Sequence, residues 1–244
     1  MSTQNTSKSQ VVGVLGGMGP DATVDFMSKV IALTPADKDQ DHIHMLVDHN
    51  PKVPNRQAAI LGDGEDPTPT LIAMAQGLEA AGADFLVIPC NTAYVFAESV
   101  AAAVGIPLIS IIDVTIDAIA ARDASVSAVG VLATDGCLQS GVYQEALQRH
   151  SMRAVLPDDD ELASFMTLIG KIKAGNKSDA VAARMRELCN ALIDRGAQAV
   201  IAGCTEIPLV LDETMLSVPL ISSTDVLAQE TVRLALGGED HVAG

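Results

Sequence analysis

Cys90 and Cys204 are the residues of this chain whose surroundings point most directly to chemistry. Each follows a short apolar run and precedes a polar segment able to begin a helix, and in both segments, 82–90 and 196–204, the cysteine stands eight residues after a glycine. A thiol between a strand end and a helix N-terminus is stabilised as a thiolate by the helix dipole. Two such thiols facing one carbon from opposite sides could invert it, because a thiolate can remove its proton while a thiol delivers another.

Other interpretations of the cysteines stay open at this point. Isolated cysteines are most often buried structural residues. The pair could also form a regulatory disulfide, although residues on opposite sides of a substrate-wide cleft are poorly placed for one. Cys137 and Cys189 are not expected to be catalytic, since Cys189 lies in an amphipathic helical pattern. Cys137 is close to Thr134 in the chain and could line the cleft.

The elements that must position these thiols follow from an alternation of short apolar runs with longer helical patterns. Such alternation predicts parallel sheets covered by helices on both faces, an α/β architecture. The predicted strands are 11–15, 43–47, 85–88, 108–112, 128–132, 199–201 and 220–222. The predicted helices are 20–33, 68–81, 93–104, 114–121, 140–149, 162–174, 179–195 and 224–236.

The two halves of the chain also resemble each other. Besides the two cysteine segments, 106–110 matches 218–222 and 11–15 matches 128–132, always in the same order and at offsets of 114, 112 and 117 residues (204−90, 218−106 and 128−11). This internal repeat predicts two similar α/β lobes, the second beginning near residue 115. If the lobes face each other about a pseudo-two-fold axis, both thiols converge on the cleft between them.

Composition excludes several classes of partner. Of 244 residues, 48% are hydrophobic and 19% charged, which is typical of a globular protein, and the net charge is −16. A chain this acidic repels phosphate backbones and anionic lipid, so we expect neither nucleic acid nor a membrane as partner. The longest apolar stretch, 100–112, is too short to span a bilayer. We predict a cytoplasmic protein with reduced thiols and a short disordered leader at 1–10.

The motifs of the chain resemble those of the cofactor-independent aspartate/glutamate racemase superfamily, most closely its aspartate racemase branch. The resemblance runs from Val11 onward and rests on the segments 16–23, 89–93, 130–134, 140–143 and 203–206. It implies two similar lobes, each with a parallel four-stranded sheet flanked by helices, and an active site in the cleft. It also implies that 11–114 and about 210–244 form the first lobe and about 115–209 the second.

The resemblance assigns roles to the two cysteines. In that family the residues at the positions of Cys90 and Cys204 are the two catalytic bases, no cofactor is used, and the protein is a homodimer. Similarity to glutamate racemases implies that Cys90 deprotonates the D form and Cys204 the L form. Glutamate racemases usually carry His immediately after the second Cys-Thr. This chain has Glu206 there, as aspartate racemases have Glu. This favours aspartate over glutamate without excluding a broader range.

One residue departs from the pattern. Many relatives have His after the Asn-Thr-Ala of the first cysteine motif, whereas this chain has Tyr94. Any acid–base help from that histidine is therefore in doubt, but the thiol chemistry is not.

Several further residues are candidates for holding a small acidic amino acid. The loop around Met18 joins a strand to a helix, where backbone N–H groups can receive a carboxylate. Polar groups at strand ends suit the α-carboxylate and ammonium, or could simply cap helices. They are Asn91, Thr92, Thr134 and Thr205, with Glu206 in a supporting role.

Cations for the carboxylates are fewer. Arg56 lies in a Pro-rich loop after the second predicted strand, and the resemblance implies that its planar guanidinium binds the side-chain carboxylate. Its alternative is a solvated surface arginine. Lys173 resembles the second carboxylate-binding cation of the family, with Lys171 as an alternative.

Rival functions remain. Residues 17–22 also fit a G-x-G-x-x-A dinucleotide pattern, which would indicate a dehydrogenase. His42 and His44 on one strand could begin a metal site with Asp48 or His49, although we expect no metal. A non-catalytic two-lobed amino-acid binding protein would need the cleft and Arg56 but not both thiols. Related cysteine-dependent decarboxylases and isomerases are the remaining alternative.

Overall fold

The computed structural model describes residues 9–238 as two parallel four-stranded sheets flanked by helices. In chain order the first sheet contains β1 (Val12–Gly16), β2 (Met45–His49), β3 (Phe85–Val87) and β4 (Leu108–Ile109), and the second contains β5 (Ala128–Ala133), β6 (Arg153–Val155), β7 (Ala199–Gly203) and β8 (Leu220–Ser222). Their spatial orders, β2-β1-β3-β4 and β6-β5-β7-β8, follow one pattern. The predicted α/β class is confirmed.

Ten α-helices cover these sheets within the described part of the chain. They are α1 (Pro20–Leu33), α2 (Arg56–Leu61), α3 (Thr68–Ala80), α4 (Ala97–Ala101), α5 (Ile111–Arg122), α6 (Asp135–Gln139), α7 (Val142–Arg149), α8 (Asp159–Lys173), α9 (Asp179–Asp194) and α10 (Ser223–Ala235). Strands β1, β5 and β7 are buried along their whole length, as expected for central strands with helices on both faces.

The two sheets share a hydrophobic core. One apolar cluster joins Val14 of β1 and Phe26 of α1 to Val131 of β5 and Ile201 of β7, and it includes Leu227 of α10. Helix α10 packs against both α1 and α5. The lobes are therefore held together by continuous apolar contact, which fixes the cleft between their strand ends.

About 210–244 was expected in the first lobe, but the strand of this segment, β8, belongs to the second sheet. Strand β8 pairs in parallel with β7 and completes the second sheet, with Val200 opposite Leu220. Only the helix that follows, α10, packs on α1 of the first half. Strand β8 has the same place in the second sheet as β4 has in the first, since β8 pairs with β7 as β4 pairs with β3.

The loop between β1 and α1 is rigid for identifiable reasons. Gly17 has φ +92°, and a Cβ there would lie 2.4 Å from the backbone carbon of Asn50, so only glycine fits. Its N–H donates to Thr23 Oγ1 at 2.9 Å, and the same hydroxyl donates to the Gly19 carbonyl at 3.0 Å. These bonds fix the backbone on both sides of Met18.

Short elements account for most differences from the sequence prediction. Strand β6 and helices α2 and α6 were not predicted, because each is too short to show a period. Predicted strand 108–112 ends at Ile109 because Ser110 caps α5, accepting from Asp113 N at 3.0 Å. Predicted helix 93–104 divides into a 3-10 helix, Thr92–Phe96, and α4.

The predicted leader, 1–10, lies mostly outside the described residues. Gln10 already joins the fold, since its N–H donates to the Ala235 carbonyl at 2.9 Å. Within residues 9–238, none of the helices combines the length and apolar character needed to cross a bilayer.

Candidate active site

Cys90 and Cys204 come together at one cleft from opposite sheets. Cys90 follows β3 and Cys204 follows β7, at the carboxyl edges of the two sheets, and each is only 6% exposed. Both line a single cavity of about 220 Å³. In open parallel sheets, ligands bind at this edge.

Every site residue proposed from the sequence lines this cavity. They are Met18, Arg56, Cys90, Asn91, Thr92, Thr134, Lys173, Cys204, Thr205 and Glu206. The alternative cation Lys171 is not among the lining residues and is exposed. Lys173 is therefore the lysine that the fold brings to the cleft.

Six further residues line the cavity that were not proposed from the sequence, namely Asn55, Gln57, Met166, Ile169, Gly170 and Gly203. Met166, Ile169 and Gly170 lie on the same face of α8 as Lys173, because they are three or four residues apart along the helix. That periodic face was a usable signal, but it looks the same as an ordinary core-facing stripe. Asn55 and Gln57 carried no such signal, because α2 was not predicted.

Cys204 is hydrogen-bonded to a buried carboxylate. Its Sγ donates to Glu206 Oε2 at 2.9 Å, while Glu206 Oε1 lies 3.5 Å from Lys173 Nζ. Burial and then the Glu206 charge raise the pKa of Cys204 well above its ordinary value, and Lys173 opposes them only in part. Cys204 therefore rests as a thiol, with a proton acceptor already in contact.

Lys173 remains charged in this setting. Burial alone would lower its pKa, but the facing charges of Glu206, Cys204 and Cys90 outweigh burial and raise it. The cleft thus holds a lysine ammonium and a glutamate carboxylate that largely compensate each other.

Cys90 has a different environment. Its Sγ has no hydrogen-bond partner among residues 9–238, so the two thiols differ in access to a proton acceptor. Cys137, which was considered as a cleft residue, is fully buried in the shared core and does not line the cavity. Burial and then the Cys90 charge raise the pKa of Cys137 to about 12, so it stays a thiol.

A buried polar chain lies behind the two cysteines and connects the halves. Tyr143 on α7 donates to Asn91 Oδ1 at 2.7 Å, and Asn91 Nδ2 donates to Ser223 Oγ at 3.0 Å. Ser223 in turn donates to the carbonyl of Ala202 at 3.0 Å, two residues before Cys204. Asn91, adjacent to Cys90, is thus tied to the strand that carries Cys204.

Removing the hydroxyl at the end of this chain should destabilise the protein. We expect Tyr143→Phe to lower the free energy of unfolding by about 1–3 kcal/mol, because the fully buried Asn91 oxygen loses its donor. Urea unfolding followed by circular dichroism measures this. The chain's other tyrosine is the control: Tyr94 is only partly buried, and Tyr94→Phe should cost less. Equal losses would contradict the importance of the Asn91 connection.

Arg56 is held at the cavity wall by backbone carbonyls. Its Nη1 donates to Val53 O at 3.0 Å and Pro54 O at 2.9 Å, and its buried Nε has no partner. No carboxylate in the described part of the chain pairs with it. Arg56 was expected in a loop, but it is the first residue of α2, whose N-cap Asn55 accepts from Gln57 N at 3.0 Å. The guanidinium is thereby fixed and still able to bind an anion.

Two threonines that line the cavity connect the halves. Thr92 Oγ1 and Thr134 Oγ1 lie 2.9 Å apart and share a hydrogen bond. Whichever hydroxyl donates, the other keeps its O–H, so the pair retains one free donor as well as free acceptor lone pairs for a ligand.

Comparison with known proteins places the chain in a family. The model of a family described as Asp/Glu/Hydantoin racemase matches residues 15–231. The chain belongs to this family. The broad specificity amino-acid racemase RacX of Bacillus subtilis is 33% identical over 226 residues, which are 91% of this chain and 96% of that protein.

Solved structures agree with the fold. The Picrophilus torridus aspartate racemase superposes with a TM-score of 0.82 at 28% identity, covering 93% of this chain and 94% of that one. Glutamate racemase isoform RacE1 from Bacillus anthracis superposes with a TM-score of 0.67 at 21% identity, over 95% and 84% of the two chains. The second likeness concerns the fold alone.

Within this racemase fold, position 94 does not reach the cavity. Tyr94 instead lines a separate surface cleft with Asp113. Burial raises the pKa of its phenol, with a smaller opposing effect from Ser110. The side chain that replaces the expected histidine therefore takes no part in lining the thiol cavity.

The rival sites have little support from the geometry. A Cβ on Gly19 would lie 2.9 Å from Glu206 Oε1, so a carboxylate lies against the glycine loop, and its negative charge would repel a dinucleotide phosphate there. His42 and His44 are exposed and precede β2 rather than alternating along it. Among the described residues, no three or more His, Cys, Asp or Glu are grouped so as to hold a metal ion.

Proposed function

We propose that this chain is an amino-acid racemase that interconverts L- and D-aspartate without a cofactor, with Cys90 and Cys204 as the two bases. The observation that supports this most is the presence of two thiols from opposite halves of a racemase fold in one small cavity. A binding protein would need the cavity but neither thiol. A decarboxylase that uses one cysteine would not need the second.

The proposed reaction uses the two thiols in turn. In the L-to-D direction, Cys204 as a thiolate removes the α-proton, so the C–H bond breaks and an S–H bond forms. The Cys90 thiol then donates its proton to the opposite face of the carbanion and becomes a thiolate. In the reverse direction the roles exchange. No group other than protons is transferred, so atoms and charges balance.

Glu206 would prepare Cys204 for this role. The resting thiol donates to Glu206 Oε2 at 2.9 Å, so the carboxylate is placed to accept the proton and leave a thiolate. The negative charge then moves from the carboxylate to the sulfur, and Lys173, 3.5 Å from Glu206 Oε1, favours the thiolate because its charge lowers the pKa of Cys204.

Substrate binding is assigned to the remaining lining groups. We propose that Arg56 binds the side-chain carboxylate and Lys173 assists. Asn91, Thr92, Thr134, Thr205 and the backbone at Met18 would hold the α-carboxylate and ammonium. We also propose that the protein is cytoplasmic and forms a homodimer, and sedimentation of the purified protein tests the dimer.

The direct test is racemisation of L-aspartate by the purified chain, followed by chiral chromatography without pyridoxal phosphate. We expect the mixture to approach equal amounts of both enantiomers. A double Cys90→Ser, Cys204→Ser variant supplies the matched blank. Tight binding of aspartate without formation of the D enantiomer would favour the binding-protein alternative, and loss of carbon dioxide would favour a decarboxylase.

Removal of the Arg56 side chain should selectively weaken the binding of acidic substrates. We expect Arg56→Ala to raise KM for aspartate by about 10- to 150-fold, equivalent to the roughly 1.5–3 kcal/mol of a charge-assisted hydrogen bond. Steady-state kinetics measure it. Arg122→Ala is the control, because Arg122 is exposed and paired with Glu213 away from the cavity. An unchanged KM would assign the carboxylate to Lys173 instead.

A further inference from the structure

No feature of the backbone requires glycine at position 170, in the last turn of α8. The backbone of Gly170 is helical, and the glycine that ends this helix is Gly175, which has φ +88° and donates its N–H to the Ile172 carbonyl at 2.9 Å. Glycine is a poorer helix former than alanine, because its backbone loses more conformational freedom on folding. The helix therefore gives no reason for this residue.

Packing does not require glycine at this position either. If Gly170 carried a Cβ, that atom would have no atom of the described chain within 4 Å, its two chain neighbours and the backbone of its own helix aside. Gly17, by comparison, would place a Cβ against the backbone of Asn50. What the missing side chain of Gly170 provides is open space.

This open space adjoins the cavity that holds the two thiols. Gly170 lines the cavity and is exposed, so it lies where the cavity meets solvent. Met166 and Lys173, which also line the cavity, are each one helical turn away on the same face of α8. A side chain at position 170 would therefore stand beside theirs and take up room at the opening of the cavity.

The charge of the cavity defines which amino acids suit it. Arg56 and Lys173 are its cations and Glu206 is its carboxylate, so the lining residues carry a net charge of +1. Transfer of the Cys204 proton to Glu206 moves a negative charge to the sulfur and leaves this sum unchanged. An occupant with one net negative charge neutralises the cavity. Amino acids with two carboxylates and one ammonium meet this condition, whatever the length of their side chains.

The space at position 170 bears on that length. Glutamate has one methylene more than aspartate, and 2-aminoadipate has one more again. We propose that Gly170 is a specificity residue whose missing side chain admits acidic amino acids longer than aspartate. The additional methylenes would lie along the wall formed by α8, where Met166 and Ile169 supply apolar surface. This inference rests on the racemase function proposed above.

Filling this space should shift substrate preference towards aspartate. We expect Gly170→Leu to lower the ratio of kcat/KM for glutamate to that for aspartate by about 10- to 200-fold, the effect of one methylene in a close-fitting apolar pocket. Gly170→Ala should change the ratio in the same direction but less. Both variants replace glycine in a helix by a better helix former, so both should fold. Gly170→Ala should raise the midpoint of thermal unfolding by about 2–4 °C.

Gly77→Leu is the matched control. Gly77 also lies inside a helix, α3, and is exposed, and a Cβ there would likewise have no atom of the described residues within 4 Å. It does not line the cavity. The same substitution at this position should therefore leave the substrate ratio unchanged.

The experiment follows racemisation of aspartate, glutamate and 2-aminoadipate by chiral chromatography with wild type and the three variants. Wild type should racemise glutamate within about tenfold of its kcat/KM for aspartate. The rate with 2-aminoadipate should fall most steeply in Gly170→Leu. Glutamine has the length of glutamate without the charge and should be at least about tenfold poorer than glutamate in wild type. Equal rates with glutamine and glutamate would overturn the restriction to acidic amino acids.

The outcomes separate this inference from the function on which it rests. Racemisation of aspartate with glutamate more than about 100-fold poorer would overturn the role of Gly170 and leave the proposed function standing. A ratio that Gly170→Leu does not change has the same consequence, whether both rates persist or both fall alike. If Gly170→Leu is inactive on both substrates, Gly170→Ala supplies the ratio. If wild type racemises neither amino acid, both proposals are wrong.

Discussion

Cys90→Ser and Cys204→Ser should each reduce racemisation of aspartate by about 10³- to 10⁴-fold. Inversion needs a proton removed from one face and another delivered to the opposite face, so one thiol cannot complete it. A serine hydroxyl fits the same space but ionises far less readily than a thiol. Because the equilibrium constant of a racemisation is one, kcat/KM must fall equally in both directions.

Exchange of the α-proton with solvent distinguishes the two variants. In each, the remaining thiol still reaches one face, so deuterium from solvent should enter only one enantiomer. The family resemblance predicts that Cys90→Ser retains exchange into L-aspartate and Cys204→Ser into D-aspartate. Mass spectrometry of each enantiomer after incubation in D₂O measures this.

Cys189→Ser is the control for these variants, since Cys189 is fully buried in α9 and does not line the cavity. It should racemise aspartate at nearly the wild-type rate if it remains folded. Near wild-type racemisation by either cleft variant would overturn the paired-thiol mechanism and assign the cavity to other chemistry.

The paired cysteines could be found from the sequence because the chain repeats itself. A lone cysteine after an apolar run carries little information, but the same placement in two halves predicts a shared cleft. The fold adds that both residues follow central strands, β3 and β7, and that both line one cavity. Strands with continuous apolar runs were equally visible, since burial on both faces leaves this pattern.

The local surroundings of the thiols were less predictable. Helix α2 has only six residues, too few to show a helical period in the sequence. It was therefore not predicted, and Gln57 was not identified as a site residue. The contact between Cys204 and Glu206 depends on side-chain orientation after the strand. Cys204 has a carboxylate partner and Cys90 does not. Two similar sequence motifs could not predict this difference, because it arises from tertiary packing.

This asymmetry leads to a second large effect, at Glu206. We expect Glu206→Gln to lower kcat for aspartate by about 100-fold, because Cys204 loses the carboxylate placed to accept its proton. Solvent is a poor alternative acceptor for this proton, because Cys204 and Glu206 are both buried. Glu213→Gln makes the same chemical change at an exposed position and should leave kcat unchanged.

The same variant should shift the ionisation of Cys204 in a defined direction. The Glu206 charge favours the neutral thiol and so raises the pKa of Cys204, whereas Lys173 lowers it. Glu206→Gln removes the first influence and keeps the second, so the pKa must fall and alkylation of Cys204 by iodoacetamide should begin at lower pH. Peptide mass spectrometry follows this, with Cys90 in the same samples as internal reference. A shift of Cys204 alkylation to higher pH would contradict the assigned electrostatics. Lower kcat with unchanged alkylation would make Glu206 a binding group instead of the proton acceptor, because only the latter role requires contact with the ionising thiol.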